Sequence, residues 1–134
     1  MFIPPFLEKL TIRNFRSLRD VTVTFANPTF FVGKNASGKS NFIDGFAFLS
    51  DCMNRSLTSA IEERGGISQL GYIFMERAAP WIDFRVDFHL GGEDNQHGYY
   101  AFRLEVVENN SFRILREQGF LSGKPGTTAW FERS

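Results

Sequence analysis

One stretch of this sequence has residue types and spacing suited to phosphate chemistry. Gly33, Lys34, Asn35, Ala36, Ser37, Gly38, Lys39 and Ser40 follow the pattern G-x-x-x-x-G-K-S. Gly33 and Gly38 allow backbone turns that a Cβ would block. A loop built this way points several N–H groups inward as an anion-binding nest. A helix starting directly behind it adds unsatisfied N–H groups and the positive end of its dipole. Lys39 can set its ammonium against β- and γ-phosphates, and the Ser40 hydroxyl is a hard oxygen ligand suited to Mg²⁺. The implied ligands are β- and γ-phosphates and Mg²⁺.

Such a loop works only between a strand and a helix, and the neighbouring residues predict both. Asn27 and Pro28 end the preceding element, and residues 29–32 form a short apolar run that reads as a buried strand. Residues 39–53 predict a helix with Phe42, Ile43, Phe46, Leu49 and Met53 as its apolar stripe. Gly45, inside that helix, costs about 1 kcal/mol relative to Ala, which points to close packing against a neighbour. Residues 57–63 predict a second short helix, stopped by Gly65 and Gly66. Residues 67–74 fit more than one element. Upstream of the loop, residues 7–14 read as a strand with Leu10 and Ile12 on one face. Residues 15–20 read as a polar connection, and Val21, Val23 and Phe25 as the inward face of a second strand, antiparallel to the first.

After Pro80 the pattern changes to strict alternation. Ile82, Phe84, Val86, Phe88 and Leu90 share one face of residues 81–90, and Tyr100, Phe102, Leu104 and Val106 share one face of residues 99–107. Residues 112–117 and 128–132 predict two further strands, with turns at 91–95, 108–110 and 123–126. The fold class that follows is mixed α/β (α+β). Residues 1–75 carry a P-loop core with an N-terminal hairpin, and residues 76–134 an antiparallel β meander.

Composition narrows the partners. The 134 residues carry a formal net charge of zero, so no global field draws nucleic acid or a membrane surface. The single cysteine, Cys52, has no internal disulfide partner and reads as a small core residue. No apolar run approaches the ~20 residues of a membrane span, and Met1 to Pro5 lack the charged start and long apolar stretch of a signal peptide. A cytoplasmic protein is expected. His89 and His97 have no metal-ligand partners at useful spacing and read as surface or sheet histidines.

Two segments together resemble a family. Residues 10–18, Leu-Thr-Ile-Arg-Asn-Phe-Arg-Ser-Leu, followed by residues 33–41, Gly-Lys-Asn-Ala-Ser-Gly-Lys-Ser-Asn, are similar to the SMC/RecF-like branch of ABC-type ATPases. Ile61-Glu62-Glu63-Arg64-Gly65-Gly66 looks like the bacterial "AAA family ATPase" proteins of that branch, several of which accompany nucleases in phage defence. The resemblance covers the first lobe of the family's head domain, which combines an antiparallel sheet with the phosphate-loop core. It implies that Gly33 through Asn41, with Lys34, Asn35, Ala36 and Ser37, surround ATP, that Ser40 ligates Mg²⁺, and that Arg16 approaches the nucleotide. No catalytic residue stands out; Gln118 is a weak candidate for the family's glutamine loop, and Gln69 a weaker one. The family keeps its Walker B acids, signature sequence and switch histidine in a second lobe, and this sequence shows no match to them. Leu121-Ser122-Gly123-Lys124 echoes a signature but runs into Pro125-Gly126, as a hairpin turn would.

The resemblance therefore implies an ATP-binding piece whose hydrolysis needs a second lobe or subunit. A homodimer, a nuclease partner and DNA are the further partners it implies. A different class stays open: a non-catalytic interaction module that keeps the fold and uses its sheet, with Trp81 and Trp130, to hold a protein. Arg13, Arg16 and Arg19 make a small basic cluster that favours DNA only modestly.

Overall fold

A computed structural model describes residues 6–25, 38–71, 73–74, 77–78, 80–93, 95–108, 110–123 and 129–133. Its main element is a six-stranded antiparallel sheet in the order β2-β1-β5-β6-β7-β8. The strands are β1 (Phe6–Phe15), β2 (Leu18–Thr24), β5 (Trp81–His89), β6 (His97–Val107), β7 (Ser111–Leu121) and β8 (Ala129–Arg133). β3 (Ile73–Phe74) and β4 (Arg77–Ala78) pair with each other alone. Two helices, α1 (Lys39–Asn54) and α2 (Leu57–Glu63), and a 3₁₀ turn at Ile67–Gln69 complete the described elements.

The alternating residues sort as their period dictates. Leu10, Ile12, Ile82, Phe84, Val86, Phe102 and Leu104 are all buried. Phe88, Tyr100 and Val106 are partly buried against them. Leu90 departs from the pattern, because β5 ends at His89 and leaves Leu90 46% exposed. The other face carries charge–aromatic pairs. The Arg103 guanidinium donates to both Asp83 oxygens at 2.6 Å and lies 4.4 Å from the Trp81 ring. Arg85 sits 4.0 Å from the Tyr99 ring. Asp83 and Arg103 are direct cross-strand partners, the arrangement that lets opposite charges support a sheet.

The sheet runs through both halves of the sequence. β1 pairs with β2 on one side and with β5 on the other, Leu10 opposite Val86 and Ile12 opposite Phe84. The N-terminal hairpin and the later meander thus share one buried face, and α1 covers it. Phe48 of α1 inserts among Phe15, Phe84 and Phe102, with ring centroids 5.6, 5.4 and 6.3 Å away. Such aromatic pairs contribute about 0.5–1.5 kcal/mol each beyond their burial.

Three further expectations change. Residues 15–20 do not form a polar connection. Phe15 and Leu18 face each other as the last ladder pair, both buried, so the turn is only Arg16-Ser17. The apolar stripe of α1 is rotated by about a quarter turn. The buried residues are Phe42, Gly45, Phe48, Leu49 and Cys52, while Ile43, Phe46 and Met53 are exposed. Gly45 is the reason. A Cβ there would lie 2.7 Å from Ile12 Cδ1 and 3.6 Å from Phe15, so the helix presses its notch, not its bulkiest row, onto β1. The third meander strand is longer than residues 112–117 and takes in Gln118 and Leu121.

α2 follows the predicted bounds. Ser56 caps it by accepting from the Ser59 N–H at 3.1 Å. Asp51 of α1 holds α2 in place by accepting from the Arg64 guanidinium at 2.6 Å. That bond is the main cause holding the Asp51 carboxyl below its ordinary 3.8. Asn110, in the β6–β7 turn, reaches back to the segment just past this end of α2. Its Oδ1 accepts from Ser68 N–H at 2.8 Å and its Nδ2 donates to the Gly65 carbonyl at 3.3 Å.

Candidate functional site

α1 begins where the glycine–lysine–serine pattern ends. Gly38 precedes the helix at φ 87°, ψ −1°, a left-handed conformation that glycine adopts without cost. Among the described residues no side chain caps this end, and the first turn holds no acidic residue. Its N–H groups and its dipole are therefore not neutralised by Asp or Glu within that turn. Lys39 and Asn41 are half-buried and Ser40 is exposed. Gly33, Lys34, Asn35, Ala36 and Ser37, with the expected strand at residues 29–32, lie outside the described residues.

The β1–β2 turn docks on this helix end. Gly38 packs against Leu18, whose Cδ2 would be 3.5 Å from a Cβ at that position. The Asn41 side-chain amide donates to Ser17 Oγ. Arg16 NH1 lies 3.8 Å from Asp44 Oδ2, one helical turn beyond Ser40. Arg16 is held from behind as well. Its N–H donates to the Leu70 carbonyl at 2.7 Å, and its guanidinium lies 5.7 Å from the ring of Phe15. Its φ of 50° is uncommon for a residue with a side chain, so the turn is fixed by these contacts rather than by local preference. Arg16 Nε is buried and has no hydrogen-bond partner among the described residues.

The structure thus brings Arg16, Gly38, Lys39, Ser40 and Asn41 to one end of α1. It does not bring Gln118 there. Gln118 lies inside β7, which β5 and β6 separate from β1. It pairs with Ala101, on the sheet face opposite the one that carries Phe102 and Glu117. Gln69 comes closer, being exposed in the 3₁₀ turn next to Leu70, whose carbonyl takes the Arg16 N–H. Asp44 has no place in the sequence reading, and Ser17 enters it only as part of the run that carries the resemblance. The spacing of Asp44 four residues past Ser40 on a predicted helix is the signal that points to it.

The other motifs find structural roles. Arg13 pairs with Asp20 at 3.2 Å and Asp83 at 3.9 Å, so the basic cluster is largely offset. His97 Nδ1 is 2.8 Å from Glu8 Oε1, and the His89 ring stacks on Phe6. Among the described residues no three His, Cys, Asp or Glu side chains form a metal cluster. No helix among them is long and apolar enough to cross a membrane. Burial pushes the Cys52 thiol up to about 12, making it a poor nucleophile. Two concavities of about 510 and 500 Å³ open beside the C-terminal half of α1, both touching Met53 and Phe88, away from Lys39.

Residues 6–114 match the family model described as AAA ATPase domain. The DNA replication and repair protein RecF of Lactobacillus acidophilus is 44% identical over 46 residues, 34% of this chain and 12% of that protein. RecF of Thermosynechococcus vestitus is 46% identical over 46 residues, with the same two shares. RecF of Cytophaga hutchinsonii is 28% identical over 95 residues, 66% of this chain and 24% of that protein. The matched stretches span about a quarter or less of the length of these curated relatives.

Proposed function

The chain belongs to the AAA ATPase domain family, and on that premise we propose that it is the ATP-binding, P-loop part of an SMC/RecF-like ABC-type ATPase. One observation carries this reading. A helix end with no side-chain cap among the described residues and no acid in its first turn opens at Lys39 directly behind a left-handed glycine, with an arginine-bearing turn docked on it. A polyanion suits that environment: it meets the N–H groups of a helix start, a lysine, and an arginine whose Nε has no hydrogen-bond partner among the described residues.

In this reading the backbone N–H groups from Gly33 through Gly38, including Lys34, Asn35, Ala36 and Ser37, cradle the phosphates. Lys39 lies against the β- and γ-phosphates, and Asn41 keeps the hairpin turn in place. Arg16 reaches the nucleotide from that turn. Ser40 is the Mg²⁺ ligand, and bound Mg²⁺ would neutralise charge building on the bridging and terminal phosphate oxygens. These groups hold ATP in its ground state. They contain no acid placed to orient an attacking water, so they give affinity with little rate.

Turnover then calls for a second ATPase lobe or subunit, and a homodimer is one way to supply it. A nuclease partner and a role in phage defence are part of this proposal, as is work on DNA, by analogy with relatives named for DNA replication and repair. We place the protein in the cytoplasm. A non-catalytic interaction module is the second reading. Trp130, 74% exposed on the edge strand β8, favours it.

Thermal melts with and without Mg-ATP separate the two. At a hundredfold excess over Kd a bound nucleotide adds about 2.7 kcal/mol of stability. The ATP-binding reading predicts that gain, with phosphate release far below the ~1 s⁻¹ that marks the low end of common turnover. No shift at any nucleotide concentration would leave the module reading standing.

A further inference from the structure

We propose that Asp44 is a positioning residue for the nucleotide site, tethering the Arg16 guanidinium over the first turns of α1. This rests on the ATP-binding reading and adds to it a residue that the phosphate-loop pattern does not contain.

The backbone of Arg16 is fixed at several points. Phe15 is fully buried, the Arg16 N–H is bonded to Leu70, and Ser17 is bonded to Asn41. These contacts place the Arg16 Cα but not the end of its side chain. Among the described residues two groups meet the guanidinium itself: the Phe15 ring at 5.7 Å and the Asp44 carboxylate at 3.8 Å. The ring contact sets no direction among the three guanidinium nitrogens. Asp44 does, because it engages NH1.

The pair is poorly suited to holding up the fold. Asp44 is 51% exposed and its distance is at the long limit for an ion pair, a setting in which such pairs contribute little. Asp51 on the same helix shows the stabilising version, at 2.6 Å from Arg64 in a part-buried seam. Asp44 also lies beyond the first turn, where a carboxylate gains most from the helix dipole. Orienting Arg16, one turn from Ser40, remains as its effect. A planar guanidinium held by one nitrogen keeps its other donors available to phosphate oxygens.

The test is a double-mutant cycle on the full chain, read as Mg-ATP affinity by calorimetry. Asp44→Asn should weaken binding about threefold to tenfold, in the lower part of the range for directly coupled residues. In an Arg16→Ala background the same substitution should change affinity by less than about twofold. Asp44→Glu should recover much of the loss, since the 3.8 Å gap accommodates a longer carboxylate. Asp44→Asn with parental or tighter affinity would overturn the assignment, as would an equal loss with and without Arg16. A parent chain that binds no Mg-ATP would overturn the ATP-binding reading and this assignment with it. A parent that binds beside an unaffected Asp44→Asn would overturn the assignment alone.

Discussion

At the scale of single residues, burial decides which reactive groups act. Cys52 is the chain's one thiol, 6% exposed and pushed up to about 12 by desolvation. The unfolded chain ionises near the ordinary 9.0, so the folded state favours the protonated thiol. The sign of the linkage follows: this contribution to stability is complete below about pH 9 and falls as pH rises toward 12. At pH 8 a disulfide reagent should therefore label native Cys52 far more slowly than the urea-unfolded chain. Labelling at equal rates in the two states would show that the thiol is not buried. Arg16 and Asp44 show the opposite case. Both are partly exposed, and their placement comes from a two-residue turn whose length the sequence did not disclose. Phe15 and Leu18 read as parts of a connection because Arg16, Ser17, Arg19 and Asp20 surround them with polarity. Their burial depends on pairing across the turn, which no local pattern carries.

At the scale of elements, the strands were the more legible. Strict period two from Ile82 to Val86 and from Phe102 to Leu104 put the right side chains on the buried face, because a one-residue slip would expose them all. The helix was legible in extent but not in orientation. Phe42 and Leu49 fit both the predicted and the observed stripe, and Phe46 and Phe48 compete on hydrophobicity alone. Gly45 settles the matter by allowing β1 to come close, a tertiary effect. The consequence is measurable. Phe48→Ala should destabilise the protein by about 3–5 kcal/mol, the cost of emptying a buried aromatic site. Phe46→Ala, at a position 36% exposed, should cost well under half of that. Denaturant melts ranking the two in reverse order would mean that α1 presents its other face to the sheet.

At the scale of the whole molecule, one sheet joins the hairpin at the start of the chain to the meander that follows. β1 is a central strand, flanked by β2 and β5, and Phe15, Phe48, Phe84 and Phe102 make a single aromatic cluster from four elements. Pairing between strands some seventy residues apart left no trace in local periodicity. The division at about residue 75 was drawn on a change of period, and the sheet runs across it. Melts followed by tryptophan fluorescence and by far-ultraviolet dichroism should therefore coincide in one transition. Both tryptophans lie after residue 76, so two separated transitions would show that the halves unfold independently. The candidate site was legible in type, through Gly38, Lys39 and Ser40. The contacts that Ser17, Asp44 and Leu70 make with it appear only with the fold.

The central claim is that the start of α1 behind Gly38 holds the phosphates of ATP. Calorimetric titration of the parent chain and of Lys39→Ala with Mg-ATP tests it most directly. Lys39 is half-buried at the helix start and outside the buried core, so its removal should leave the melting transition in place. The account predicts a saturable isotherm for the parent and the loss of most affinity in Lys39→Ala, at unchanged fold. Equal affinity in the two proteins, or no binding by a folded parent, would contradict it.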